Sequence, residues 1–73
     1  MLENLDNCVQ LHEEIEVTYL VDHYCAKLLS WDDSAVMLEG CGPTIHDALV
    51  ALDRQCEGRD WQDIRKMKPI DRR

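Results

Sequence analysis

The chain has 73 residues, 15 acids against eight lysines and arginines, a net charge of −7 and no phenylalanine. A chain of that length builds one small core at most, and its acidic excess repels the phosphates of nucleic acid. No apolar run is long enough to cross a bilayer, and no basic-then-apolar leader pattern opens the chain, so the expectation is one cytoplasmic domain over residues 1–73.

The charge is unevenly placed. Residues 1–58 hold twelve acids against Lys27 and Arg54, a balance of −10, whereas residues 59–73 balance at +3. An acidic body of this kind favours encounter with a basic protein surface and works against DNA binding.

Taken in order, residues 2–12 place Leu2, Leu5, Val9 and His12 near one helical face, with Glu3 and Asp6 where negative charge suits the dipole. A short helix or turn is expected there. Residues 15–31 fit a helical stripe, but Ile15, Val17, Tyr19 and Val21 alternate and are β-branched or aromatic. That run and the next read as strands over 15–21 and 24–30. Trp31-Asp32-Asp33-Ser34 is a polar turn, and the apolar run 35–39, ended by Gly40 and Gly42, is a third strand.

The stretch from Gly40 to Gly58 is the best defined. Thr44 is placed as an N-cap with Asp47 three residues on, the spacing of a capping box. Ile45, Ala48, Leu49, Leu52 and Cys56 recur at helical spacing, leaving His46, Asp47, Asp53, Arg54 and Glu57 for solvent. Gly58 supplies the left-handed stop. Asp60 then caps a short helix carrying Trp61, Ile64 and Met67 on one side and Arg65, Lys66 and Lys68 on the other, and residues 69–73 read as a frayed basic tail. The fold class expected is α+β: a small antiparallel sheet of two or three strands packed by one main helix, with short terminal helices.

Residues able to carry chemistry are few. Cys8, Cys25, Cys41 and Cys56 could form two disulfides in any of three pairings, but without a secretory leader reduced thiols are the expectation. Zinc could be imagined from His23 with Cys25, Cys41 with His46, and Cys56, yet no pair has the tight knuckle spacing of structural sites, so no metal or other cofactor is expected and a zinc-stabilised interaction module is the third reading of function. A Cys–His nucleophile needs a pocket that a chain this small hardly provides, and no phosphate-cradling loop is present, so an enzyme is not expected.

The run Gly42-Pro43-Thr44-Ile45-His46-Asp47-Ala48-Leu49-Val50-Ala51-Leu52, following an apolar strand, resembles a pattern of small phage-encoded proteins. It is similar to the HicB antitoxin half-domain and to the acidic T-odd coliphage inhibitors of bacterial RNA polymerase, in which a Thr-x-x-acid-Ala-Leu helix packs on a small sheet. The second resemblance implies a regulator that occupies basic surfaces of a larger host protein, RNA polymerase first among them. The first implies an antitoxin or a DNA-binding regulator using the basic C-terminal segment. The partner-facing residues expected are Trp31, Asp32, Asp33 and Glu39 at the hairpin end, with Trp61, Arg65, Lys66 and Lys68 at the C-terminus.

Overall fold

The computed structural model describes residues 2–9, 14–30 and 34–70. In chain order the elements are α1 (Glu3–Cys8), β1 (Glu14–Leu20), β2 (His23–Leu29), β3 (Val36–Gly42), α2 (Ile45–Gln55) and α3 (Trp61–Lys66). The strands make one antiparallel sheet in the order β1-β2-β3, and α2 packs on β3 and β2. This is the α+β arrangement expected, with α1 packed on α2 and α3 packed on α1, both giving residues to the core.

The alternation of residues 15–21 prevails over their helical stripe because a partner strand is available. Ile15, Val17 and Tyr19 stand opposite Leu28, Ala26 and Tyr24, so the apolar positions of both strands share the helix-covered face. Both strands begin and end one residue earlier than expected. Val21 goes into the two-residue turn instead, where the Tyr19 hydroxyl donates to its carbonyl at 2.9 Å.

The third strand differs more. It runs Val36–Gly42, through the glycines expected to end it. A Cβ on Gly40 would lie 2.2 Å from the Leu52 backbone nitrogen, and one on Gly42 2.6 Å from the Asp47 Cβ. The glycines are therefore part of the strand, where they let α2 approach its backbone. Leu28 pairs with Leu38 but Leu29 pairs with Val36, so Met37 is an extra residue in β3. That irregularity turns both Met37 and Leu38 into the core, which a regular strand would forbid.

The Thr44 hydroxyl accepts from the Asp47 amide at 3.1 Å at the start of α2, and Gly58 takes φ 76° after its end. Ala48, Leu52 and Cys56 are buried as expected, but Ile45 is exposed, one turn short of the contact that Ala48 makes. Asp53 is the larger departure. Placed among the solvent-facing residues by its spacing, it is buried, and it accepts from the Leu5 amide at 2.7 Å and the Asn4 side chain at 3.3 Å. Leu2, at the N-cap position of α1, offers no capping side chain, and Leu5 carries one of the amide groups that a helix start leaves without an internal partner. Asp53 supplies the cap from another helix.

Asp60 and Asp63 complete a reciprocal capping box at α3, which buries Ile64 and leaves Met67 partly buried against the core. Residues 69–70 are not the start of a frayed tail, because the Ile70 amide donates to the Val36 carbonyl at 2.7 Å; residues 71–73 lie outside the described residues.

Two stability measurements check this packing by urea denaturation. Gly40→Ala should lose at least about 1–3 kcal/mol, since backbone rather than a flexible side chain must yield. Asp53→Ala should lose about 1–3 kcal/mol by stranding a buried amide. An unchanged midpoint in either variant would contradict the contact concerned.

Candidate functional site

The sheet is wider than the helix that covers it. Because α2 sits on β3 and β2, β1 projects beyond it. Ile15, Val17 and Tyr19 are 37%, 40% and 61% exposed although they lie on the core face of the sheet. Leu20, opposite His23 on the other face, and Val21 in the turn are exposed as well.

The backbone of the same strand is open. Cys25 and Cys41 face each other with Cα atoms 4.0 Å apart, the close spacing of a pair that shares no backbone hydrogen bonds. Strand parity then turns the Cys25 backbone groups toward Thr18, its opposite in β1, and alternation directs the N–H and C=O of Ile15, Val17 and Tyr19 outward. No described segment pairs with that edge. Three residues thus offer both exposed apolar side chains and outward backbone groups, with Glu14 and Glu16 between and beside them. An open strand edge of this kind is a template for another chain.

The opposite face carries the polar rows. Lys27 stands between Glu16 and Glu39, and its ammonium lies 3.9 Å from the Glu39 carboxylate. The next row is Thr18, Cys25 and Cys41, with the two sulfurs joined in a disulfide. The expectation of reduced thiols fails at this pair: the register places the two residues directly opposite, although 16 positions separate them in the chain. Two residues before Cys25, on the same face, His23 Nδ1–H donates to Asp22 Oδ1 at 2.7 Å. That hydrogen bond, and next the charge of the ring, hold the Asp22 carboxyl below its usual range.

The described residues among those singled out from the sequence divide between two sides of the sheet. Trp31, Asp32 and Asp33 lie outside the described residues. Glu39 is exposed on the polar face, whereas Trp61, Arg65, Lys66 and Lys68 are exposed on or just after α3, on the helix side. Trp61 is not a core anchor; its ring carries the Arg65 guanidinium at 5.4 Å, and Ile64 does the burying. The β1 edge was missing from that set. Its signal was the period-two alternation of Ile15, Val17, Tyr19 and Val21, which identified a strand but could not say that the helix would stop short of it.

The other two cysteines, Cys8 and Cys56, are outside the disulfide and fully buried. The Cys8 thiol donates to the Cys56 carbonyl at 3.7 Å, and burial, with the neighbouring Cys8, pushes the Cys56 thiol up to about 12. Both side chains are core material, and the raised value leaves Cys56 with little thiolate character.

Fold and edge together define the class: a two-layer α+β domain with an open apolar edge strand, and no described helix long and apolar enough to cross a membrane. No family model, curated protein or solved structure matches the chain.

A pH titration of stability checks the buried thiol. Since the folded value of Cys56 lies above its ordinary 9.0, its contribution is complete below pH 9.0 and is lost as pH rises toward 12, where only the unfolded chain ionises. The reducing-agent-treated protein should therefore weaken progressively above pH 9, and Cys56→Ala should flatten that slope; equal slopes in both would contradict the assignment.

Proposed function

We propose that this chain is a small acidic protein-binding regulator, of the phage-encoded type its helix motif resembles, that takes an extended basic and apolar segment of a larger host protein onto the β1 edge. The observation that carries this reading is the coincidence, at Ile15, Val17 and Tyr19, of exposed apolar side chains with outward backbone groups. Strand addition draws its affinity from the main chain and its selectivity from alternate side chains. The charge selects the occupant. A second copy would bring Glu14 and Glu16 against an equally acidic edge, whereas lysines or arginines would find complementary charge.

Bacterial RNA polymerase is the first partner to test, on the strength of the resemblance and of the −10 balance over residues 1–58. The mechanism is occupancy: a segment held in the sheet is withheld from its own partners. The exposed Arg65, Lys66 and Lys68 favour a second reading, a HicB-like antitoxin or small regulator that touches DNA through α3.

Purified RNA polymerase should be retained on the immobilised chain at low salt, released as salt rises, and inhibited in transcription by the free chain. Val17→Pro removes one outward N–H at an edge position that tolerates proline, so it should keep the circular dichroism spectrum and lose at least about tenfold in affinity. Undiminished binding by this variant would exclude the edge. A mobility shift on DNA, abolished by Lys66→Glu with Lys68→Glu, would favour the second reading.

A further inference from the structure

We propose that, when the Cys25–Cys41 disulfide is reduced, the two thiolates and His23 form a zinc-binding site on the polar face of the sheet, so that metal and disulfide occupy the same residues in alternation.

The observation is the convergence of three donors that the sequence keeps apart. A ligand atom of His23 and the sulfurs of Cys25 and Cys41 all lie within 4.8 Å of one another. Two come from one strand at positions i and i+2, which share a face, and the third is the direct cross-strand neighbour. Zinc at about 2.3 Å from sulfur and 2.0–2.1 Å from nitrogen holds its ligand atoms about 3.5–3.8 Å apart in a tetrahedron. Reduction removes the bond between the sulfurs and frees them to separate toward that spacing.

A disulfide staple has no need of an imidazole, and here the imidazole is already prepared as a ligand. The Asp22 carboxylate can only accept, so in the neutral ring the His23 proton sits on Nδ1 and the Nε2 lone pair is available. A carboxylate behind a histidine is the usual outer partner of a zinc ligand, fixing the tautomer and the ring. Two thiolates with one imidazole select zinc over the harder divalent ions. Cys25 is buried while Cys41 is exposed and the His23 side chain is 41% exposed, so the fourth coordination position opens to water. Cys56, also considered as a ligand from the sequence, is in the core beside Cys8, and His46 is on α2; neither belongs to the cluster.

The exchange balances with a low-molecular-weight disulfide as oxidant. Loading zinc releases the two thiol protons. On oxidation the exposed Cys41 thiolate attacks the small disulfide, forming a mixed disulfide and expelling one small thiolate. The Cys25 thiolate then attacks the Cys41 sulfur, the second small thiolate leaves, and zinc departs as the free ion. Two electrons pass from the cysteine pair to the oxidant.

Cobalt(II) is the probe. The chain reduced with a phosphine and freed of reductant should take one cobalt, with thiolate charge-transfer and tetrahedral visible bands that zinc abolishes. Cys25→Ser and Cys41→Ser should each weaken binding by at least about 100-fold, and Asp22→Asn by about 10–100-fold. His23→Gln, an exposed change that should leave the fold intact, should also lose at least about tenfold. Chain re-oxidised with glutathione disulfide should take no cobalt. If the reduced chain unfolds without metal, recovery of the far-ultraviolet signal on adding cobalt supports the site and no recovery counts against it. A reduced, folded chain that shows no thiolate–cobalt bands would leave the pair a staple only and overturn the proposal. So would bands that survive Cys41→Ser or His23→Gln, or that vanish in Cys8→Ala with Cys56→Ala.

Discussion

The close approach of α2 to β3 governs the rest of the molecule. Gly40 has no side chain, so the backbone around Ala51 and Leu52 rests directly on the strand, where even a methyl group would collide. A helix held that near one strand is committed to β3 and β2, and a single helix of 11 residues covers no more of the sheet. β1 is left at the margin with Ile15, Val17 and Tyr19 exposed. The open edge on which the proposed function rests is thus a consequence of a packing contact two strands away.

The short helices are secured by borrowed groups rather than by their own length. A helix of six residues is too short to persist in water unaided. For α1, Asp53 of α2 satisfies the Leu5 amide, while Leu5 and Cys8 enter the core. For α3 the cap is local, through Asp60 and Asp63, and Ile64 provides the burial. The two helices meet each other on the core side of the sheet, and the rows of Lys27 and of Cys25 lie on the opposite face.

Those rows separate two kinds of cysteine by chemistry. Cys8 and Cys56 are fully buried on the helix side, where desolvation keeps the Cys56 thiol protonated. Cys25 and Cys41 lie on the far face, joined in a disulfide, with His23 two residues from Cys25 and hydrogen-bonded to Asp22. Four cysteines evenly spread along a chain look alike; the sheet divides them into two pairs with different fates.

What the sequence by itself determined was local: the Thr44 cap, the Gly58 stop, the Asp60 cap and the strands on either side of a two-residue turn, each set by neighbours within a few positions. Periodicity also identified the α+β class, because alternation and helical spacing occur in separate runs. Only the tertiary structure decided three things. Asp53 is buried, since its partner amide is 48 positions away. Gly40 and Gly42 belong to a strand, since a glycine before a helix reads as a turn until the helix is seen against it. Ile15, Val17 and Tyr19 are exposed, and His23, Cys25 and Cys41 converge, since alternation assigns a residue to a face but not to a covered or open part of that face. Register and the reach of one helix are long-range quantities, and the site is made of both.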